Sequence, residues 1–184
     1  MNDYKILKLK DKAYELQRRF IKRFDQKWNL RESVEELAIQ TGHLYQSLIN
    51  NRKIADLSDA HNQPNRILNH TKDELCDCFL SVCSIYVFFE IKKDEEIDVH
   101  IAEREKDEKT LISELSILAA QLLDSCLIIK GIKPPFKRNE RQIFLQIYFS
   151  IVEILECIAK IENMDIEYEF DAMIARTMEF LEKE

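Results

Sequence analysis

Val34-Glu35-Glu36-Leu37-Ala38-Ile39-Gln40-Thr41-Gly42-His43-Leu44-Tyr45-Gln46-Ser47-Leu48 decides the fold class. Val34, Leu37, Ala38, Thr41, Leu44, Tyr45 and Leu48 fall at i, i+3, i+4, i+7, i+10, i+11 and i+14. That spacing is the apolar stripe of an amphipathic helix, expected over residues 30–50. Glu36, Gln40 and His43, at i, i+4 and i+7, make a polar row beside the stripe. Gly42 lies inside the same helix, where glycine costs ~1 kcal/mol relative to alanine. Such a glycine often marks the close approach of another helix or a ligand.

The same pattern extends in both directions. Residues 3–26 are charged and helical, with Tyr4, Leu7, Tyr14, Leu16 and Phe20 on one side. Arg18, Arg19, Lys22 and Arg23 make a basic, solvated face there. Residues 51–70 are polar, contain Pro64 and read as a loop long enough to be a binding or lid segment. Thr71 is expected to cap a third helix, with Glu74 completing a capping box. Leu75, Phe79, Val82, Tyr86 and Phe89 give that helix its core face, and Glu74, Asp77, Ser81 and Ser84 a polar row. A charged connector over residues 92–109 is the best boundary. A fourth helix is expected over 110–130 on Leu111, Leu115, Leu118, Leu122 and Ile129, stopped by Gly131 and Pro134-Pro135. A fifth is expected over 139–162 on Ile143, Ile147, Ile151, Leu155, Ile158 and Ile161, and a last one over 166–183.

Composition agrees with these elements. The 184 residues include 2 glycines and 3 prolines and lack the Asn-Gly and Asp-Gly dipeptides of tight hairpins, which disfavours phosphate-loop and hairpin-rich folds. The reading is an all-α bundle of about six helices, built as two pseudo-repeated helical hairpins in one compact unit. Residues 1–105 form the first half, with the candidate site, and 106–184 the second, packed on it. A net charge of −7 without a basic stripe argues against general nucleic-acid binding. Five cysteines without a Cys-x-x-Cys pair read as reduced core thiols. The apolar run Leu111–Ile129 carries Glu114, Gln121 and Asp124 and reads as a buried helix rather than a membrane span. The expectation is a cytoplasmic protein with no membrane partner. A homo-oligomer is compatible with it.

Glu74 and Asp77 lie at i and i+3, so both carboxylates share a helix face and can reach one hard cation. Gln40 and His43 offer a second i, i+3 pair, with Glu36 one turn before. An antiparallel packing of the two helices brings all five together. As a single motif, Glu-x-x-Asp is common on solvated helix faces.

Glu36-Leu37-Ala38-Ile39-Gln40-Thr41-Gly42-His43-Leu44 resembles the first motif, EExGEL, of the MazG-like all-α nucleoside triphosphate pyrophosphohydrolases. Lys72-Asp73-Glu74-Leu75-Cys76-Asp77-Cys78-Phe79-Leu80 resembles their second, EELxDVL, and residues 163–170 are similar to a later LGIDLEEAL segment. The resemblance covers about residues 30–95. It implies a helical bundle that holds Mg²⁺ (or Mn²⁺) through ExxE and ExxD motifs and hydrolyses a (deoxy)nucleotide to monophosphate and pyrophosphate. Carried over, Glu74 and Asp77 match the second motif, while Gln40 and His43 stand where the first has glutamates. The implied metal set is Glu36, Gln40, His43, Glu74 and Asp77, with His43 and Glu74 as catalytic candidates. Arg66, His70 and Lys72 are candidate phosphate contacts, and Trp28 or Tyr45 could stack on a base. The departure lowers the charge of the four motif positions to about −2, which weakens binding of a hard divalent ion. The alternative is therefore a catalytically weakened nucleotide-binding protein or a helical interaction protein.

Overall fold

Asn29 starts the decisive helix. Its Oδ1 accepts from Arg31 N at 2.9 Å, and Glu32 Oε2 accepts from Asn29 N at 3.1 Å. This reciprocal capping box launches α2 (Leu30–Asn50). The computed structural model describes residues 8–25, 28–50, 71–92, 95, 107–135 and 139–183. The other helices are α1 (Lys10–Phe24), α3 (Thr71–Phe88), α4 (Glu108–Ile129), α5 (Glu140–Ile161) and α6 (Ile166–Lys183), and no strand occurs among the described residues. The expected all-helical bundle is what forms. Thr71 is the first residue of α3 rather than its cap, and its Oγ1 lies 3.5 Å from the Ser47 hydroxyl of α2.

The helix ends follow side-chain chemistry. Asp107 Oδ1 accepts from Thr110 N and Asn139 Oδ1 from Gln142 N, capping α4 and α5. After α4, Gly131 takes φ +71°, while the amides of Gly131 and Ile132 return to Ile128 O and Leu127 O. A residue with a Cβ is strained in that conformation.

The packing places α2 beside α3 and α4, and α5 beside the same two helices, so these four form a square. α1 covers α3, and α6 lies against α1 and α3. Pairs across α2 and α3 run Ser47–Thr71 at 3.5 Å and His43–Glu74 at 3.7 Å, with numbers falling on one helix as they rise on the other. The two helices are therefore antiparallel. α3 and α5 are too: Phe89 meets Phe144 at 4.1 Å between ring centroids, and Tyr148 Oη donates to Val82 O at 2.9 Å.

On α5 the buried face differs from the expected isoleucine row. Phe144, Leu145, Tyr148, Phe149 and Val152 point inward with Ile151, Leu155 and Ile158, whereas Ile143 and Ile147 are half-buried and Ile161 is exposed. A helix apolar on most sides offers two stripes, and the bulkier one fills the centre. Tyr45 and Ile129 also leave the core for the surface. By length and composition alone, α4 and α5 could each cross a membrane; more than half of the apolar window of α5 is buried in the bundle, and less than half of that of α4. All five cysteines are thiols. Burial pushes the Cys76 thiol up to about 12 and raises Cys78, Cys83 and Cys126 as well.

Arg141 at the start of α5 donates to both oxygens of Glu95, at 2.8 and 2.7 Å, and stacks over the Phe89 ring. The Arg141 hydrogen bonds hold the Glu95 carboxyl down, from its ordinary value near 4.5 to about 2. The native state thus binds this proton less readily than the unfolded chain. Its contribution to stability is complete above about pH 4.5 and disappears as pH falls toward about 2. Urea melts between about pH 5 and pH 3 should show that Glu95→Gln loses less stability on acidification than the parent. Tyr148→Phe should cost ~1 kcal/mol through the lost bond to Val82 O, against ~3–5 kcal/mol for Tyr148→Ala.

Candidate functional site

The capping box that starts α2 also fixes Trp28. Its Nε1 donates to Ser33 Oγ at 2.9 Å, and Ser33 Oγ donates to Asn29 O at 3.0 Å. The indole is thereby held over the first turn of α2, at one wall of a cavity of about 420 Å³. The cavity is lined by Gln17, Phe20 and Phe24 of α1, by Trp28 just before α2, by Glu36 and Gln40 of α2, and by Asp77, Leu80 and Ser81 of α3. Phe20 and Phe24 stack at 5.9 Å with 25° between their planes. The volume falls within the range of small-molecule sites.

The polar row of α2 is joined end to end. Gln40 Nε2 donates to Glu36 Oε1 at 2.6 Å, so its Oε1 is the atom that faces His43 Nδ1 at 3.1 Å. That assignment makes Nδ1 the protonated ring nitrogen of His43. The same Nδ1 lies 3.7 Å from Glu74 Oε2, and the Glu74 carboxyl is almost wholly buried. Burying a carboxylate is expensive unless charge or hydrogen bonds compensate. His43 supplies a positive charge beside Glu74 whenever it is protonated.

Glu36, Gln40, His43, Glu74 and Asp77 are thus brought to one seam between α2 and α3, as the helical spacing anticipates. They divide into two groups along it. Glu36, Gln40 and Asp77 line the cavity, and His43 with Glu74 sits one turn further along. Among the described residues, no three of His, Cys, Asp and Glu stand close enough to hold a metal ion together. Gln40 already bridges Glu36 and His43. Among the described residues, the seam does not present a ready-made three-ligand cluster of the kind the motif resemblance implies.

Trp28 takes part in the pocket. Tyr45 does not line it, and the side chain is exposed. Lys72 is exposed and its ammonium is 2.9 Å from Glu169 of α6, a hydrogen bond that raises its pKa. Lys72 does not line the cavity. Arg66 and His70 lie outside the described residues. Among the described residues, nothing lies within 4 Å of where a Cβ would stand at Gly42, so no described helix approaches it closely. Gln17, Phe24 and Leu80 were not singled out by sequence, and Phe20 and Ser81 only as members of helix faces. Gln17 did carry a signal: with Ala13, Leu16, Phe20 and Phe24 it follows the helical period on the face of α1 where Ala13 and Leu16 are buried.

No protein-family model, curated protein or solved structure matches this chain.

The seam makes a clear test. Gln40→Glu with His43→Glu would place four carboxylates of the two motifs beside Glu36. Repulsion should lower Tm by about 5 °C in chelator, at roughly 2–4 °C per kcal/mol for a chain of this size. Millimolar Mg²⁺ or Mn²⁺ should return most of that loss in the double variant and shift the parent little. Adding Asp77→Ala should remove the metal response.

Proposed function

We propose that this protein binds a nucleotide by its base in the cavity between α1, α2 and α3, and that its hydrolytic machinery is weakened. The single observation carrying this reading is the aromatic wall of Phe20, Phe24 and Trp28 set directly against the polar seam of Glu36, Gln40 and Asp77. A planar base suits such a slot because it stacks on the rings while its edge meets the polar groups. The motif resemblance supports the same region as the site. The separated carboxylates and the bridging role of Gln40 support binding over turnover. Release of pyrophosphate from a nucleoside triphosphate would ask these positions for a metal set they do not assemble.

A second reading, a helical interaction protein, has its own observation. Ile117 of α4 is exposed and lines a groove together with Ile128 of α4 and Ile143 and Ile147 of α5.

Trp28 is the single tryptophan of the chain, so its fluorescence reports on the pocket. Titration with a panel of nucleosides and nucleoside triphosphates, with and without Mg²⁺, should quench or shift that emission saturably. Pyrophosphate release in the same mixtures should stay within about tenfold of the protein-free blank, the loss expected when transition-state stabilisation is missing. Rapid Mg²⁺-dependent release would restore the full enzyme reading. No change of Trp28 emission with any compound would leave the interaction reading in front.

A further inference from the structure

The cavity between α1, α2 and α3 has one sign of charge on its wall. Glu36 and Asp77 both line it, and among the described residues no lysine, arginine or histidine does. Glu36 is half-buried, and its Oε1 accepts from the neutral Gln40 amide. An amide leaves the carboxylate its charge, and a partly buried carboxylate is costly without an opposite one. Among the described residues, no cation pairs with Glu36. The rest of the wall is largely aromatic, from Phe20, Phe24 and Trp28. Trp28 spends its only donor on Ser33 and Ser81 Oγ donates to Asp77 O, so neither offers an anion a hydrogen bond. An anion seated here would lose its hydration and meet two acidic side chains. A cation is attracted both by the ring faces and by the carboxylate. The same chemistry holds a cation elsewhere in the chain: the Arg141 guanidinium lies 4.5 Å over the Phe89 ring and bonds Glu95. Arg23 stands 5.8 Å from the Phe24 ring centre, but it donates to Leu181 O and does not line the cavity.

We infer that the cavity takes a soft organic cation, a positively charged aromatic ring or an alkylated ammonium group, against the rings of Phe20 and Trp28 with its charge answering Glu36. The inference concerns the charge of the seated group. It goes beyond the nucleotide reading and does not need it. A bare primary ammonium is strongly hydrated and asks for several acceptors around one point. A cation whose charge is spread over a ring or covered by methyl groups gives up less hydration and fills apolar space, which suits a wall of three rings and few polar atoms.

The test is calorimetric titration of the full chain at neutral pH with two matched pairs. N-methylquinolinium is set against quinoline, and choline against dimethylbutanol, its neutral carbon isostere. Within each pair the shape is nearly kept and the charge changes. In at least one pair the cation should bind about tenfold or more tightly than its neutral partner, and the pair that binds better tells a flat ring from an alkylammonium group. Glu36→Gln keeps an acceptor for Gln40 and should bring the cation down to the level of its neutral partner. Glu167→Gln removes the same charge from an exposed position of α6 that does not line the cavity, and should leave the preference intact. Equal binding within both pairs by the parent overturns the inference and leaves the nucleotide reading, tested through Trp28 emission, standing. That comparison needs no variant, so it decides even if Glu36→Gln does not fold. Retention of the preference by Glu36→Gln, or its equal loss in Glu167→Gln, also overturns the inference. Binding of none of the four compounds overturns it as well.

Discussion

A helix with neighbours on every side must satisfy its polar atoms without water, and α3 is under that constraint for most of its length. Twelve of its eighteen residues are buried, among α1, α2, α5 and α6. The residues it uses are small or self-satisfying. Ser81 and Ser84 return their hydroxyls to the carbonyls of Asp77 and Leu80, one turn earlier. Cys76, Cys78 and Cys83 fill space as small apolar groups. Glu74 is the costly exception. A buried carboxyl in the central helix serves no packing purpose that leucine would not serve better, and a histidine stands 3.7 Å from it.

This arrangement explains why the site is graded rather than uniform. At one end, the seam between α2 and α3 borders an aromatic slot whose wall carries Glu36, Gln40 and Asp77. One turn further along, the same seam holds His43 beside the buried Glu74. The hydrogen-bonded row from His43 through Gln40 to Glu36 links the two regions along a single helix face. Gln40 is well suited to that linking role, because an amide both donates and accepts. A glutamate there could only accept.

Much of the bundle is legible from helical period. The α2 stripe needed no tertiary information, and the approach of Glu36, Gln40 and His43 to Glu74 and Asp77 follows from two polar rows facing each other. The period fails where a helix is apolar nearly all round. On α5, the choice between Ile143–Ile147 and Phe144–Tyr148 is made by the volume to be filled beside Phe89, a quantity no single helix contains. Gln17 was hidden for the opposite reason. It sits next to Arg18 and Arg19 in the most basic segment, and a polar residue among charges reads as solvated until its buried neighbours are known. Gly42 has room around it among the described residues and no positive φ, so no described neighbour and no backbone conformation requires it.

The way α1 is held has a consequence for the order in which the molecule is made. Lys12 pairs with Asp171, Arg19 with Glu182, and Arg23 donates to Leu181 O, so the helix that supplies Gln17, Phe20 and Phe24 is clasped by α6. During synthesis α1 leaves the ribosome well before its clasp exists. The seam between α2 and α3 can close early, from neighbouring segments, and α1 can settle on α3 before its clasp is made. Docking of α6 then joins the earliest-made and latest-made helices in one late step.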